Sequence, residues 1–217
     1  MPRAALFDMD RTLVRKETAS LYVKYQRRLG EASLGDQVKV LFWVAQYTLG
    51  VIDVEDVAGR VVGQLKGSRE GLLEGRCEAW FRELVLPHVS EAGRRAVRAH
   101  RERGDVVAIV TGASRYATWP LARHLGIDHV VTTEFEVDVR GMFTGRFIDP
   151  LCYGEGKVAR TRRLAGELGF SLAEATFYSD SITDLPLLEA VHEPVVVNPD
   201  PRLRRVAARR GWRVERW

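Results

Sequence analysis

Cysteine and histidine are scarce in this 217-residue chain, which has two cysteines and five histidines. Cys77 and Cys152 lie far apart in the sequence, and the histidines are scattered rather than clustered. Structural zinc sites use closely spaced Cys and His ligands, and disulfide-stabilised secreted domains need a denser set of cysteines. The sequence therefore predicts neither a zinc site nor a disulfide framework, and it is typical of a protein from a reducing compartment.

Long apolar runs are also missing, since a membrane-spanning helix needs roughly 18 or more consecutive apolar residues. The nearest run covers residues 38–52 and is interrupted by Lys39, Gln46 and Gly50. The N-terminal residues lack the charged-then-apolar pattern of a secretory signal, because Asp8 follows the first short apolar run almost at once. We expect the protein to be cytoplasmic.

The chain has no strong excess of one charge, with 33 Lys and Arg against 29 Asp and Glu and a formal net charge of +4. Nucleic-acid-binding surfaces show clustered basic residues with interleaved aromatic ones. Only the arginines between Arg202 and Arg210 approach such a cluster, and their spacing is typical of the solvated face of a helix. We therefore expect a small anionic partner and no nucleic acid.

Helical patterns fill about seventy residues after Leu13, and no strand pattern interrupts them. The four predicted helices cover residues 17–29, 38–49, 54–65 and 68–84, with Asp53 as the cap of the third and Ser68 as the cap of the fourth. An all-helical block between strands is typical of an inserted cap domain. We predict this cap over residues 15–88.

The remaining residues, 1–14 and 89–217, alternate between strand and helix patterns, which predicts an α/β core with a Rossmann-like, doubly wound parallel sheet. Residues 106–110 are predicted as a strand that ends in a turn, Thr111–Ser114, which leads into a helix. Residues 129–132 are predicted as a short strand that precedes a hairpin over residues 135–147. We find no internal repeat.

Two carboxylates, Asp8 and Asp10, follow the apolar run of residues 4–7. Residues two apart in an extended chain point to the same side, so the two side chains leave the predicted strand together. Like charges held side by side need a cation or a shared proton, and Mg²⁺ prefers such oxygen ligands. A polar turn at a strand end would give the same pattern, because Asp is common in turns.

Further polar residues fall where other predicted strands and helices meet: Thr111 and Gly112, then Lys157, then Asp180 and Asp184. Open α/β sheets bind ligands at the carboxyl ends of their strands. Each motif alone also has a structural interpretation as a helix cap or a surface lysine. Together they provide carboxylates, a hydroxyl, backbone N–H groups and a lysine, which is a set suited to phosphoryl transfer.

These residues, in this order, resemble the four motifs of the haloacid dehalogenase superfamily. The helical insert after the first motif is similar to that of the subfamily that contains phosphoserine phosphatase. The resemblance implies that Asp8 is the nucleophile that becomes phosphorylated and also a ligand of Mg²⁺. It implies that Asp10 acts as general acid and base, with its main-chain carbonyl on the metal.

For the remaining motif residues, the resemblance implies that Thr111 and Gly112 hold the phosphoryl group and that Lys157 neutralises charge beside Asp8. Asp180 would bind Mg²⁺ directly, and Asp184 would do so through water or by orienting a neighbour. Glu17, in Lys16-Glu17-Thr18, falls where phosphoserine phosphatases have a glutamate that contacts the substrate.

The predicted function is Mg²⁺-dependent hydrolysis of a small phosphorylated metabolite, similar to phosphoserine or histidinol phosphate, through an aspartyl-phosphate. Two alternatives stay open. The apolar helix predicted at residues 38–49 would suit a phospholipid head-group phosphatase at a membrane surface, although packing inside the cap is favoured. A non-catalytic regulator that binds Mg²⁺ and phosphate is the other alternative. The sequence leaves the oligomeric state open.

Overall fold

The computed structural model describes residues 2–31 and 54–217. Its strands are β1 (Ala4–Phe7), β2 (Val106–Ser114), β3 (His129–Val137), β4 (Phe143–Ile148), β5 (Ala175–Ser179), β6 (Glu193–Val197) and β7 (Arg213–Glu215). Its α-helices are α1 (Thr18–Arg28), α2 (Val54–Gly63), α3 (Glu70–Trp80), α4 (Glu91–Glu102), α5 (Arg115–Leu125), α6 (Gly154–Leu168), α7 (Leu185–Ala190) and α8 (Pro201–Arg210).

The seven strands form one sheet in the order β4-β3-β2-β1-β5-β6-β7. All neighbours pair in parallel except β3 and β4, which form an antiparallel hairpin. β1 is short, uniformly apolar and fully buried, as a central strand covered on both faces must be. The chain adds strands to one side of β1 and later to the other, which creates a crevice at the carboxyl end of β1. The predicted α/β fold with a Rossmann-like sheet is confirmed.

Two apolar cores cover the two faces of the sheet. One core contains Phe7, Ile109 and Tyr178 together with side chains of α4, α5 and the helices before α4. The other contains Leu6, Val110 and Phe177 together with side chains of α6, α7 and α8. Alternate residues of β1 thus point into opposite cores, because successive side chains of a strand face opposite sides. This packing fixes the end of β1 and therefore the position of Asp8, the next residue.

Between β1 and α4 the described residues are helical, with α1, α2 and α3 followed by a π-helical turn (Phe81–Val85) and a 3-10 turn (Leu86–His88). The chain leaves and re-enters the sheet region at one place, where the Ser90 amide donates to the Leu13 carbonyl at 2.8 Å. The division at residues 15 and 88 stays a prediction. The predicted helix at residues 38–49, its possible membrane contact, and the cap residue Asp53 lie outside the described residues.

Several local predictions were wrong. Residues 111–114 belong to β2 rather than to a turn, although the pairing with β3 shifts register between Val110 and Ser114. The short strand and the first arm of the predicted hairpin are one strand, β3. Ser68 does not cap α3, because its hydroxyl donates to the Leu65 carbonyl and the helix begins two residues later. β7 has too little apolar pattern to be recognised in the sequence.

The segment between α2 and α3 and the β3–β4 hairpin also contact each other through their backbones. The Gly67 amide donates to the Phe143 carbonyl at 2.9 Å, and the Phe143 amide donates to the Ser68 carbonyl at 3.0 Å. At the start of α3, Glu70 accepts hydrogen bonds from Arg115 and Tyr116 of α5. Among the helices of residues 2–31 and 54–217, none combines the length and the apolar character that a membrane span requires.

Candidate active site

The site lies at the carboxyl end of β1, between β2 and β5. The amide of Asp8 donates to the Tyr178 carbonyl at 2.9 Å, so parallel pairing with β5 extends to the first residue after β1. β5 ends at Ser179, and Asp180 follows it. The carboxylates of Asp8 and Asp180 are therefore carried by adjacent strand ends, and both residues are buried.

Lys157 reaches this edge from the first turn of α6. Its Nζ lies 3.0 Å from Asp8 Oδ1 and 2.6 Å from Asp184 Oδ1, and all three residues are buried. Glycine is required at position 156, because a Cβ there would collide with the carbonyl oxygen of Leu151. This close approach brings the start of α6 against the loop before it and sets the direction from which Lys157 enters.

Asp184 is held from two sides. Its Oδ2 accepts a hydrogen bond from the Ser179 hydroxyl at 2.6 Å, while its Oδ1 faces the ammonium group of Lys157. The short 3-10 turn Ile182–Asp184 carries it back toward β5. Both carboxylate oxygens of Asp184 are thus engaged, one by Ser179 and the other by Lys157.

Asp10 contacts α1, the first helix after β1. Its Oδ1 accepts a hydrogen bond from the Thr18 amide at the start of α1, at 2.7 Å. Helix N-termini favour negative charge because their first N–H groups have no partner within the helix. Glu17 lies beside this contact, and its Oε1 is 3.9 Å from a guanidinium nitrogen of Arg11. Arg11 Nε is in turn 3.3 Å from Asp180 Oδ2.

Thr111 and Gly112 lie on the β2 side of the same edge, in the segment where the pairing of β2 with β3 shifts register. Thr111 is buried, and its hydroxyl accepts a hydrogen bond from the Ala113 amide at 3.2 Å, whereas Gly112 is exposed. Ser114 caps α5 by accepting from the Ala117 amide. An exposed glycine beside a helix start leaves room for an anion to approach the backbone.

The electrostatics of the site are dominated by burial of several carboxylates. Burial raises the pKa of Asp8 to about 7, against the lowering effect of Lys157 and with further raising by Asp184 and Asp10. Burial, and then the charge of Glu17, raises the pKa of Asp10 to about 7. Burial and the charge of Asp8 raise the pKa of Asp180 well above its usual range. The acids therefore outnumber the cations available to stabilise them, and an added cation would relieve that excess.

The donor set fits Mg²⁺. Mg²⁺ usually takes one or two carboxylates and completes its shell with water and substrate phosphate. The carboxylates of Asp8 and Asp180 with the main-chain carbonyl of Asp10 would provide such a set. Within residues 2–31 and 54–217, no group of three or more His, Cys, Asp or Glu side chains is arranged to hold a metal ion. A site of this kind does not need one, since a carbonyl supplies the third protein oxygen.

Sequence reasoning missed four residues that contact the expected site. These are Arg11 and Ser179, already described, with Asn198 and Asp200 in the loop after β6. Arg11 and Ser179 are next to the motif residues Asp10 and Asp180 in the sequence, so the sequence could have indicated that they lie near the site. Asn198 and Asp200 lie in Val197-Asn198-Pro199-Asp200, a segment similar to one in other haloacid dehalogenase phosphatases, but that similarity assigned neither residue a role or a contact.

Comparison with known proteins places these features in a family. Residues 5–189 match the model of the haloacid dehalogenase-like hydrolases. The chain is 31% identical to a histidinol-phosphatase of Neisseria meningitidis over 220 residues, with 99% of this chain and 98% of that protein covered. It is also 31% identical to a phosphoserine phosphatase of Mycobacterium tuberculosis, with 97% of this chain and 70% of that protein covered.

Solved structures show that the fold is shared. A Bordetella pertussis protein of unknown function has a TM-score of 0.86 and 33% identity, with 99% of this chain and 98% of that one covered. A substrate-bound phosphoserine phosphatase has a TM-score of 0.72 at 20% identity, with 94% and 90% covered, which shows a shared fold. The chain belongs to the haloacid dehalogenase-like hydrolase family and is a phosphatase of that family.

Proposed function

We propose that this phosphatase hydrolyses a small phosphomonoester with Mg²⁺, through a phosphorylated Asp8. The observation that carries the proposal is the contact of Lys157 Nζ with Asp8 Oδ1 at 3.0 Å inside a buried cluster of acids. A carboxylate attacks a phosphate dianion only when nearby cations offset the repulsion between them. Lys157 supplies one such charge, and bound Mg²⁺ would supply the other.

In the proposed first step, an oxygen of Asp8 forms a bond to phosphorus while the bond from phosphorus to the ester oxygen breaks. Asp10 gives its proton to the departing oxygen, so that a neutral alcohol leaves. Thr111 and Gly112 hold the other phosphoryl oxygens at the end of β2. In the second step Asp10 takes a proton from water, the water oxygen bonds to phosphorus, and the Asp8 carboxylate is released with inorganic phosphate.

The environment of Asp10 suits this double role. A group that gives a proton in one step and takes one in the next works best with a pKa near the working pH. Burial raises the pKa of Asp10 to about 7, and the hydrogen bond from Thr18 limits the rise. The same hydrogen bond engages Oδ1, which leaves Oδ2 to carry the proton in the proposed mechanism.

For the substrate, we infer a leaving group that carries a cationic amine. Glu17 directly precedes Thr18, whose amide donates to Asp10 Oδ1, and its charge adds to the effect of burial in raising the pKa of Asp10, which supports a position for its carboxylate beside the proposed proton donor. The ion pair of Glu17 with Arg11 is long, at 3.9 Å, so the Glu17 carboxylate could also bind a cationic group of a ligand. The relatives named for histidinol phosphate and phosphoserine support this inference, because both compounds carry an amine beside their phosphoester.

The experiment is a phosphate-release assay on histidinol phosphate, phosphoserine and glycerol phosphate, with Mg²⁺ and with EDTA. We expect turnover of at least one amine-bearing ester, loss of turnover in EDTA, and a lower kcat/KM for glycerol phosphate. The Glu17→Gln variant should reduce the preference for the amine, and Lys16→Gln is its matched control. Equal activity in EDTA would contradict the proposal, as would an unchanged preference in Glu17→Gln.

The alternative of a non-catalytic binding protein is disfavoured. A protein that only binds Mg²⁺ and phosphate would not need a nucleophile, a proton donor and a lysine together. This chain keeps Asp8, Asp10 and Lys157 in those positions. The named enzymatic relatives extend over nearly the whole chain.

A further inference from the structure

The loop between β6 and α8, residues 198–200, contacts both loops that carry the expected metal ligands. One loop follows β1 and contains Asp10 and Arg11, and the other follows β5 and contains Asp180. Residues 198–200 are more than 180 positions from the first loop and directly follow β6, the next strand beyond β5 in the sheet. We call this segment the β6–α8 loop.

Asp200 contacts the second loop on both sides of Ser181. Its amide donates to the Asp180 carbonyl at 2.9 Å, and its Oδ2 accepts from the Ile182 amide at 2.6 Å. Its Oδ1 is used differently, because it accepts from the Arg202 and Leu203 amides and so caps α8. The two oxygens of this buried carboxylate thus join the start of a helix to the peptide groups around Asp180.

Asn198 contacts the first loop. Its Nδ2 donates to the Arg11 carbonyl and to the Trp217 carbonyl, each at 3.3 Å, and its Oδ1 accepts from the Trp217 amide at 3.0 Å. Asn198 has a φ of 44°, a left-handed conformation that Asn tolerates better than most residues. Arg11 is also left-handed, with a φ of 54°. The Asn198 side chain therefore links two residues with left-handed backbones, Asn198 itself and Arg11.

The main chain of Trp217 holds the Asn198 side chain, and the Trp217 ring is itself packed in the core. Its ring packs against Phe7 and Tyr178 with centroid separations of 6.4 and 5.3 Å. The ring also lies so close to Gly93 that a Cβ there would be 3.2 Å from it. Asn198 is thereby anchored to the core under β1, and its bond to Arg11 transmits that fixed position to the loop after Asp10.

We propose that Asn198 and Asp200 are positioning residues for catalysis, which together set the distance between the Asp10 loop and the Asp180 loop. The proposal rests on the proposed function, because it is the Mg²⁺ and phosphoryl site that needs this distance. Neither side chain contacts the expected reacting groups. Groups that orient metal ligands in this way typically contribute about 10- to 100-fold to metal affinity or activity.

Asp200→Asn separates the two tasks of Asp200. The amide oxygen can still cap α8, but the amide nitrogen then faces the Ile182 N–H, and two donors cannot bond. Asp200→Ser is a second variant, since Ser is also a good helix cap and has no oxygen left for Ile182. We expect kcat at saturating Mg²⁺ to fall at least tenfold and the Kd for Mg²⁺ alone, from titration calorimetry, to rise about tenfold.

Asn198→Asp tests the contact between the β6–α8 loop and the loop after β1. Asp has the same size, tolerates a left-handed φ and can still accept from the Trp217 amide, but it cannot donate to the Arg11 carbonyl. We expect kcat to fall at least tenfold while the fold is kept, as judged by an unchanged near-UV circular dichroism spectrum. Ser171→Ala is the control, because it removes a cap of the same kind from the Ala173 amide, far from the site.

All assays are run well below the Tm of each variant, with the folded fraction checked by circular dichroism. Tenfold losses in the Asp200 and Asn198 variants, with Ser171→Ala within twofold of wild type, support positioning. If both Asp200 variants keep kcat and the Kd for Mg²⁺ within twofold of wild type, the proposal is overturned. An inactive wild type would contradict the proposed function instead, and the Mg²⁺ titrations would still decide the positioning of Asp180.

Discussion

The ammonium group of Lys157 lies 3.0 Å from Oδ1 of Asp8, and both side chains are buried at the carboxyl end of the central strand. The two residues are 149 positions apart and are brought together only by the fold. A buried charge that loses its partner is strongly destabilising, so this pair has consequences for stability as well as for chemistry.

Replacement of Lys157 should therefore affect the protein in two ways. Lys157→Met leaves Asp8 and Asp184 without their shared cation, and we expect the free energy of unfolding at pH 7.5 to fall by about 3 kcal/mol. Urea unfolding followed by circular dichroism measures it. Lys24→Met, at an exposed position on α1, is the matched control and should change stability by less than about 0.5 kcal/mol. A Lys157→Met variant as stable as this control would show that the buried pair is not formed.

Asp10→Asn should reveal proton transfer to the leaving group. Loss of a general acid typically costs about 10²- to 10⁴-fold, and the cost is smaller when the leaving group needs no proton. We expect a large fall in kcat for an alkyl phosphate and a much smaller one for p-nitrophenyl phosphate. Steady-state kinetics on the two esters measures the difference. Equal losses on both would contradict a proton-donating role for Asp10.

Mg²⁺ binding should become tighter as pH rises from 6 to 8. The two carboxylates expected to bind Mg²⁺ are both protonated more readily than usual, because burial raises the pKa of Asp8 from 3.8 to about 7 and raises the pKa of Asp180 well above the same usual value. A raised pKa means that the metal-free folded state holds these protons up to neutral pH, and Mg²⁺ must displace them. The Mg²⁺-induced rise in Tm should accordingly grow over this range. A rise that is constant or that shrinks would contradict the prediction.

A second titratable group is His100, whose ring packs against Phe7 and Tyr178. Its ring nitrogens contact Asp105 Oδ2 at 2.7 Å and the Tyr178 hydroxyl at 2.9 Å, and burial lowers its pKa despite the hydrogen bond to Asp105. When the folded pKa is lowered, the unfolded state takes up the proton first as pH falls below about 6.5. Stability is therefore lost as pH falls from that value toward 5.

The comparison that isolates this group is wild type against His100→Gln, with Tm measured from pH 8 to pH 5. Gln does not titrate, so we expect the Tm of wild type to fall more steeply than that of the variant below pH 6.5. Parallel curves would show that His100 contributes nothing to the pH dependence.

The sequence predicts most of the chemistry of the site because its signals are local. Asp8 and Asp10 follow an apolar strand, and Asp180 and Asp184 follow another, so each pair could be placed at a strand end without knowledge of the partners. The role of Lys157 could be predicted only from the resemblance to the family, since an isolated lysine is usually on the surface. The parallel sheet followed from alternating patterns over the second half of the chain.

What the sequence could not predict depends on contacts between distant residues. The bond from Asn198 to Arg11 spans 187 positions, and nothing in Asn198-Pro199-Asp200 indicates which loop it will meet. The extension of β2 to Ser114 was missed for a related reason, because it depends on pairing with Thr133 of β3. The short strand β7 forms only because β6 offers it an edge.

The central claim is that Asp8 becomes phosphorylated, and its most direct test is chemical trapping of that residue. The protein is mixed with Mg²⁺ and a substrate from the panel, quenched, and treated with borohydride, which reduces an acyl phosphate to an alcohol. We predict that peptide mass spectrometry finds homoserine in place of Asp8, and only in samples that received substrate. Unmodified Asp8 during active turnover, or phosphate release that continues at the full rate in Asp8→Asn, would contradict the account.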